Sequence, residues 1–197
     1  MSRVIILARS AEQTDLVDNA DVRSLKQLLH AKEKITSTLH IEQIDGLINC
    51  AGIGYSQPLR ELTEQEYENV LATNVKGLMF ATKTFLDLLK DQTGIICNIS
   101  SIAGIKGFSE WSLYCASKFA VEGFTQSIRH ELRPRGIRVM SVRPGSVDTP
   151  IYAHLSIEEK RDFIDPATIA RIIVELLDIS QKAVVEDIFM NNSVGDL

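Results

Sequence analysis

The stretch "GIICNIS" (residues 94–100) carries apolar side chains at consecutive positions rather than at every second one. This pattern is typical of a strand that is buried on both faces, and such strands occur in parallel sheets that helices cover. Similar β-branched runs lie at 4–7, 45–50, 137–142 and 183–190, and a weaker one lies at 15–22. The stretch therefore predicts the core of a parallel α/β sheet.

Segments with helical character separate these runs and cover about 24–39, 63–90, 112–133 and 165–178. Two of them have clear start signals: Thr63 and Glu66 have the spacing of a capping box, and Asp165 precedes a proline at the first helical position. Because crossovers between parallel strands are right-handed, the alternation predicts a doubly wound, mostly parallel, Rossmann-like α/β fold with helices on both faces. We assign residues 1–197 to a single domain, because no repeat or linker interrupts the pattern.

The composition argues against several classes of function. The formal net charge is −5 and there is no basic block, so we expect no binding to nucleic acid or to a membrane. Three cysteines, Cys50, Cys97 and Cys115, are odd in number and widely spaced, which is typical of reduced thiols in a cytoplasmic protein. The four histidines are scattered, so we predict no metal site.

The residues that follow each strand are candidates for a site, because ligands of such sheets bind beyond the carboxyl ends of the strands. Three segments qualify: "NCAGIG" (49–54), "NISSIAG" (98–104) and "RPGSVDTP" (143–150). Each of them is also compatible with an ordinary turn, since glycine, serine and proline favour turns. Their function depends on what the rest of the chain places beside them.

Two helical segments carry unusual residues. "TNVKG" (73–77) places Asn and Gly in mid-helix, where both are unfavourable, so it marks either a functional Asn74 or a kink that lets helices cross. "YCASK" (114–118) places Tyr114 and Lys118 one turn apart on one helical face. A nearby ammonium lowers the pKa of a phenol, so the pair suits acid–base chemistry, although the pattern alone is common.

Taken in order, these five segments resemble the motifs of the classical short-chain dehydrogenase/reductase family, over about residues 4–190. The resemblance implies hydride transfer between a nicotinamide cofactor and a small-molecule carbonyl or alcohol substrate. It also implies four catalytic residues: Asn74, Ser101, Tyr114 and Lys118. Tyr114 would move a proton, and Ser101 would bind the substrate oxygen. Lys118 would hold the nicotinamide ribose, with Asn74 supporting a water that relays protons to it.

The resemblance further implies a set of cofactor-binding residues: Asp21, Val22, Asn49, Ala51, Gly52, Tyr114, Lys118, Pro144, Gly145, Val147 and Thr149. Asp21 and Val22 would contact the adenine, with "TDLVD" (14–18) as a competing alignment. Arg9 follows the first strand, where the family meets the adenosine ribose. A base there accommodates the 2′-phosphate of NADP and an acid favours NAD, so we expect NADP, with a solvated surface arginine as the alternative.

The resemblance is incomplete at the amino-terminal end. The family starts with a strand and a Thr-Gly-x-x-x-Gly-x-Gly loop that cradles the pyrophosphate, and this sequence has neither, so we expect the first βα unit to be missing. Three explanations are open: a fragment or mis-assigned start, a truncated product without activity, or a shift of "VIILARS" (4–10) into the centre of the sheet. We expect little NADPH binding by these 197 residues alone. The alternative function is a non-catalytic binding or interaction protein.

Two further expectations concern how the chains assemble and where the substrate binds. The helices at about 64–90 and 112–133 carry more apolar side chains than one sheet-facing side needs, among them Leu78, Phe85, Phe119 and Phe124. The family commonly pairs these helices between subunits, so we expect a homodimer or homotetramer. Residues 150–164 should cover the substrate pocket and are too few for a bulky lid, but they do not identify the substrate.

Overall fold

The computed structural model describes residues 6–8, 17–180 and 182–195. Its strands are β1 (Ile6–Ala8), β2 (Val17–Asn19), β3 (Gly46–Asn49), β4 (Ile95–Ile99), β5 (Arg138–Pro144) and β6 (Asp187–Met190). The last four form a parallel sheet in the order β3-β4-β5-β6. Each apolar run that predicts a strand overlaps one of these six strands, so the predicted parallel sheet is confirmed.

The helices are α1 (Leu25–Glu33), α2 (Glu64–Leu71), α3 (Leu78–Phe85), α4 (Ser112–Leu132) and α5 (Pro166–Leu177). The predicted start signals are present, because Thr63 and Glu66 form a capping box and the Asp165 side chain caps α5. A π-helical segment, Ala72–Gly77, joins α2 to α3, so the long predicted helix changes its winding at "TNVKG". Within the described residues, no helix combines the length and the apolar character needed to cross a membrane.

Helices cover both faces of the four-stranded sheet. Successive residues of a strand point to opposite faces, so the partners of neighbouring β4 residues show which helix lies on which face. On one side, Ile96 of β4 shares a core cluster with Ile128 of α4. On the other side, Ile95 and Cys97 of β4 share a cluster with Ile169 of α5. The predicted doubly wound, Rossmann-like arrangement is therefore confirmed.

Strands β1 and β2 form a separate two-stranded parallel sheet. Among the described strands, β1 pairs with β2 and not with β3, so the explanation that shifts "VIILARS" into the centre of the main sheet is wrong. Helices α1 and α3 lie over a core cluster that includes Leu28, Ala81 and Phe85 and that reaches Leu47 of β3. This cluster attaches the amino-terminal half of the described chain to the four-stranded sheet.

The apolar side chains expected at a subunit interface lie in different environments. Leu78 and Phe85 are buried inside the chain, and Phe124 packs against the core beneath α4. Phe119, in contrast, is 49% exposed on α4. Leu78 and Phe85 are already covered by their own chain and are not free to contact a second subunit, which corrects that part of the expectation.

Candidate active site

The predicted site segments meet at one edge of the sheet. Strand β3 ends at Asn49, β4 ends two residues before Ser101, and β5 ends at Pro144. Ser101 precedes a short 3-10 turn, Ile102–Gly104, and its hydroxyl accepts a hydrogen bond from the Ala103 N–H at 3.1 Å. The same hydroxyl donates to the Pro144 carbonyl at 3.4 Å. Ser101 thus joins the ends of two neighbouring strands.

Helix α4 brings Tyr114 and Lys118 to the same edge. Lys118 is buried, and its ammonium donates a hydrogen bond to the Ile99 carbonyl at 2.9 Å. The Lys118 Nζ atom lies 5.6 Å from the centre of the Tyr114 ring. The hydroxyl of Tyr114 interacts with Ser101. Three of the predicted catalytic residues therefore converge in space.

The acidity of Tyr114 differs from the sequence expectation. Burial raises the pKa of Tyr114 above its ordinary value, and hydrogen bonding with Ser101 opposes this rise without cancelling it. The Lys118 ammonium lies over the ring and donates to a main-chain carbonyl, so it does not compensate for the lost hydration of the phenol. The expected lowering of the Tyr114 pKa by Lys118 is therefore wrong, and the phenol is held in its protonated form at neutral pH.

Lys118 is shifted in the direction that burial dictates. Burial lowers its pKa from 10.5 to about 8, while Cys50 and Glu122 oppose the change. Cys50 is the exposed thiol directly after β3. The described part of the chain has no group of three or more His, Cys, Asp or Glu side chains that could hold a metal ion. Cys50 and Glu122 act on Lys118 through their own charges. The ammonium is thus protonated at neutral pH but loses its proton at mildly alkaline pH.

Asn74 lies in the π-helical segment and is 1% exposed. Its amide group donates to the Ile53 carbonyl at 2.8 Å and to the Ser117 hydroxyl at 3.0 Å, and its Oδ1 atom accepts from the Ile53 N–H at 2.9 Å. Gly77 has no room for a side chain, because a Cβ there would lie 2.8 Å from Val22 Cγ2. Asn74 therefore anchors the loop after β3 to α4, and Gly77 allows close packing against Val22, while a role of Asn74 in catalysis stays a prediction.

The amino-terminal cofactor candidates precede the residues Ser101, Tyr114 and Lys118 by a long stretch of sequence, and the structure gives Asp21 and Val22 contacts of their own. The Asp21 carboxylate pairs with Arg23 at 2.6 Å, and the Asp21 N–H donates to the Gln27 side chain at 2.7 Å. Val22 packs against Gly77. Arg9 and most of the competing "TDLVD" alignment lie outside the described residues. The roles of these residues toward a cofactor stay predictions.

The side chain of Asn49 is buried between the sheet and a helix. Its amide donates to Thr82 Oγ1 at 3.0 Å and to Asn98 Oδ1 at 2.8 Å, and the Asn98 amide in turn donates to Thr125 Oγ1 at 2.9 Å. Buried amides need such partners, so this ladder ties β3 and β4 to α3 and α4, which pack on the same face of the sheet. Sequence reasoning assigns Asn49 to the cofactor and does not foresee this ladder.

The next residues of the loop are more open. Ala51 is exposed. A Cβ at Gly52 would lie 3.6 Å from both Asn74 Oδ1 and Lys118 Nζ, so Gly52 lines the space beside these two polar groups. Gly52 thus lies directly against Lys118, and the next residue, Ile53, is bound through its main chain to Asn74.

The loop after β5 is held by Asn192, which no sequence motif marks. Its Oδ1 atom accepts from the Ser146 N–H at 2.8 Å, and its amide donates to the Ser146 carbonyl at 2.9 Å. A Cβ on Gly145 would collide with Asn192, which explains the glycine. Val147 forms a β-bridge to the segment that returns over the loop, and Thr149 precedes a 3-10 turn.

Aromatic side chains surround Tyr114, and the sequence motifs do not include them. Trp111 lies 5.5 Å from Tyr114 and 5.7 Å from Tyr152, and Tyr152 lies 4.9 Å from Phe163. Gly54 allows this packing, because a Cβ there would come within 2.8 Å of the Tyr114 ring. Tyr152 and Phe163 therefore extend the aromatic cluster of Trp111 and Tyr114, and the placement of residues 150–164 over a substrate pocket stays a prediction.

A family model described as short chain dehydrogenase matches residues 3–160. The chain belongs to the short-chain dehydrogenase family. It is 34% identical over 188 residues to a sepiapterin reductase from Chlorobaculum tepidum, which covers 93% of this chain and 72% of that protein. It is also 33% identical over 167 residues to an uncharacterized oxidoreductase from Staphylococcus saprophyticus, which covers 84% of this chain and 68% of that protein.

Solved structures of dehydrogenases share the fold. An alcohol dehydrogenase from the archaeon Thermococcus sibiricus, complexed with 5-hydroxy-NADP, has a TM-score of 0.81 at 25% identity and covers 90% of this chain and 74% of that chain. A 3-ketoacyl-(acyl-carrier-protein) reductase from Brucella melitensis, complexed with NADH, has a TM-score of 0.79 at 20% identity and covers 90% and 77%. The predicted family and fold of this short-chain dehydrogenase are confirmed, and its relatives are oxidoreductases.

Proposed function

We propose that the protein is a cytoplasmic, NADP-dependent oxidoreductase that transfers a hydride between a nicotinamide cofactor and a small carbonyl or alcohol substrate. One observation carries the proposal: Ser101, Tyr114 and Lys118 converge beyond the carboxyl ends of parallel strands, where ligands bind in such sheets. A relative named as a sepiapterin reductase and a structural neighbour named as an alcohol dehydrogenase support chemistry of this kind.

Tyr114 supplies the proton in the direction of carbonyl reduction. Because burial raises its pKa, the phenol is protonated at neutral pH and can donate to the oxygen of the forming alcohol. The reverse reaction needs the phenolate, whose population increases with pH. A phenol at its ordinary pKa is also protonated at neutral pH, so burial keeps Tyr114 in the acid form without making it a stronger acid.

Ser101 and Lys118 stabilise and position the reacting groups. The Ser101 hydroxyl interacts with Tyr114, so it can bind the same substrate oxygen and stabilise its developing charge. Within the described residues, the hydrogen bonds of the Lys118 ammonium go to the Ile99 carbonyl, and an ammonium has three donors. The other two donors suit the hydroxyls of a ribose. Asn74 lies beside the same space and supports the proton relay to Lys118.

The residues at this edge fit a nicotinamide cofactor. Gly52 lies directly beside Lys118 without a side chain, and the loop after β5 is fixed at Ser146 by Asn192. When it is bound, the cofactor supplies or accepts the hydride. The chain itself contributes the proton of Tyr114 and the positive charge of Lys118.

We favour NADP over NAD as the cofactor. The Thermococcus neighbour was solved with 5-hydroxy-NADP, and a second neighbour, ElxO, was solved with NADP at a TM-score of 0.76 and 25% identity. The Brucella neighbour was solved with NADH, so neighbours alone do not decide the preference. Arg9 has the positive charge that a 2′-phosphate needs.

In protein that includes any in-frame sequence upstream, replacing Arg9 with Asp is therefore expected to weaken NADP binding at least about tenfold and to leave NAD binding nearly unchanged. A charge-assisted hydrogen bond contributes about 1.5–3 kcal/mol, which corresponds to a factor of about ten or more. Titration calorimetry with both nucleotides measures the ratio, and Arg60→Asp on the surface is the control. An unchanged ratio for Arg9→Asp would show that Arg9 is an ordinary surface residue.

The proposed activity is tested with protein made from Met1 onward and with protein that includes any in-frame sequence upstream. Both are assayed for NADPH-dependent reduction of small aliphatic and aromatic ketones and aldehydes, and both are titrated with NADPH. Turnover by either protein supports the proposal. Normal folding with neither turnover nor NADPH binding would contradict it and favour the non-catalytic binding protein.

We also propose that the protein is a homodimer or homotetramer. Phe119 on α4 is 49% exposed and Tyr67 on α2 is 46% exposed, so these two neighbouring helices present apolar surface to solvent. Light scattering at micromolar concentration is expected to give a mass of at least two chains, and Phe119→Glu is expected to lower it. A mass of one chain for the unaltered protein would count against this assembly.

A further inference from the structure

Glu122 is a buried acid on the same helix as the candidate catalytic pair. It lies one turn after Lys118 on α4 and is 4% exposed. Its carboxylate accepts a hydrogen bond from the Ser141 hydroxyl and another from the Arg143 guanidinium, each at 2.7 Å. A carboxylate tolerates burial when it is both paired and hydrogen-bonded, and Glu122 meets both conditions. It belongs to none of the five sequence motifs.

A chain of ion pairs connects Glu122 to the sheet. Arg143 on β5 also binds Asp187 on β6 at 2.7 Å, and Arg129 of α4 binds the same Asp187 at 3.0 Å. Arg129 continues to the Val139 carbonyl of β5 at 3.1 Å. Helix α4 is therefore fastened to β5 and β6 at two points, and Glu122 is the point nearer to Lys118.

The stem of Glu122 also contacts the turn that follows Ser101. Gly104 ends this turn, and a Cβ there would lie 2.9 Å from Glu122 Cγ and 3.0 Å from the Lys118 carbonyl oxygen. The absence of a side chain lets the turn rest directly on α4 between Lys118 and Glu122. Glu122 thus contacts the structures that hold both Lys118 and Ser101.

Within the described residues, the Lys118 ammonium donates to the Ile99 carbonyl of β4 and lies 5.6 Å from the Tyr114 ring. Asn74 borders the same Gly52, and the charges of Cys50 after β3 and of Glu122 on α4 favour the protonated form of Lys118. Burial acts to raise the pKa of Glu122, but the hydrogen bonds from Arg143 and Ser141 outweigh it and lower the pKa. Glu122 is therefore ionised at neutral pH. It is the fixed carboxylate among the groups around Lys118.

We propose that Glu122 is a positioning residue for the candidate active site: its buried carboxylate provides the negative charge for the Lys118 ammonium and seats the Ser101 turn on α4. The inference rests on the proposed functions of Lys118 and Ser101. A buried ion pair is by itself weak evidence for a stabilising role. The proposal gives the Glu122–Arg143 pair a different role, which is to position the residues of the candidate active site.

The test follows Lys118 by NMR in protein that carries lysine labelled with 13C at the ε carbon, and the Lys118 signal is assigned by its loss in Lys118→Met. Glu122→Gln keeps the shape of the side chain and removes its charge. We expect the titration midpoint of Lys118 to fall by about one pH unit in this variant. Asp187→Asn is the matched control, because it removes a charge from the same network but lies on β6, where it binds Arg143 and Arg129, and not on α4 one turn from Lys118. Its Lys118 midpoint is expected to stay at the wild-type value.

An unchanged Lys118 midpoint in Glu122→Gln, or an equal fall in Asp187→Asn, overturns the proposal. If Glu122→Gln does not fold, the double variant E122Q/R143M replaces it, because exchanging both partners of a buried pair is better tolerated than removing one. The midpoint is again expected to fall, since Glu122 lies one turn from Lys118 and Arg143 lies beyond it. A midpoint that does not fall overturns the proposal here too.

The measurement needs no turnover, which separates this inference from the proposed function. An inactive protein whose Lys118 midpoint falls in Glu122→Gln contradicts the proposed oxidoreductase and supports the positioning role. An active protein whose midpoint stays in place contradicts the positioning role alone.

Discussion

Replacing Tyr114 with Phe is expected to lower the rate of carbonyl reduction by at least ~10²-fold, which is the lower end of the range for general acid catalysis. The variant loses the hydroxyl and keeps the ring, which packs 5.5 Å from Trp111. Both this variant and the Lys118→Met variant are made in protein that includes any in-frame sequence upstream. NADPH affinity of Tyr114→Phe is expected to stay near the wild-type value, because Lys118 and the shape of the site remain. Steady-state kinetics and NADPH titration on the same preparations measure the two effects separately.

Tyr152→Phe is the matched control for this experiment. Tyr152 loses the same hydroxyl and lies in the same aromatic cluster, where its ring is 5.7 Å from Trp111. It is not one of the residues that meet at the end of β4, so we expect it to retain most of its turnover. If Tyr114→Phe also retains most of its turnover, Tyr114 is a packing residue and the proposed acid is wrong.

The sequence predicts the order of elements because each one has a strong local signal. The run at 94–100 is apolar on both faces, and it forms β4 with helices on either side. Thr63 and Asp165 start their helices as predicted, because their side chains satisfy main-chain N–H groups that a helix leaves unpaired. These signals depend on neighbouring residues only, so no tertiary information is needed to read them.

The meeting of Ser101, Tyr114 and Lys118 could also be predicted, because parallel strands end at one edge and a resemblance names the residues. What a sequence does not contain is the depth at which each group is buried. The pKa of Tyr114 is therefore raised where spacing alone suggests that Lys118 lowers it. Spacing measures the distance between two residues on a helix, whereas hydration depends on every element packed around them.

Long-range polar contacts are the other part that sequence reasoning misses. Asn192 holds Ser146 from 46 residues away, and Asn49 bonds to Asn98 across two strands. Asparagine is a common residue type in turns, so its presence at a position does not indicate which distant residue its side chain will bind. Only the fold brings the partners together.

Replacing Lys118 with Met is expected to remove turnover and to change how stability depends on pH. Turnover is expected to fall at least ~10²-fold, and NADPH affinity is expected to fall with it, because Lys118 is proposed to act on both Tyr114 and the ribose. The unfolding free energy is expected to respond to the loss of Lys118 by an amount that depends on pH. Burial lowers the pKa of Lys118 from 10.5 to about 8, which corresponds to roughly 3 kcal/mol of unfolding free energy at ~1.4 kcal/mol per pKa unit.

The sign of this effect follows from which state binds the proton. Below pH 8, Lys118 is protonated in the folded and the unfolded chain, so the folded protein carries the full cost of a buried charge. Between pH 8 and pH 10.5 the unfolded chain binds more protons than the folded one, and the stability of the wild-type protein rises with pH. Methionine does not titrate, so the variant lacks this contribution.

Urea unfolding of both proteins at pH 7 and at pH 10.5 measures the effect, and the unfolding free energy of wild type minus that of Lys118→Met is expected to increase by roughly 3 kcal/mol. Groups that titrate alike in the two proteins cancel in this difference. Lys26→Met, which removes an exposed lysine of α1, is measured alongside as the control for the loss of a lysine charge at the surface. A constant difference for Lys118→Met would mean that water reaches the ammonium. Lys118 would then have the electrostatics of a surface lysine, and the proton relay proposed for it would lose its physical basis.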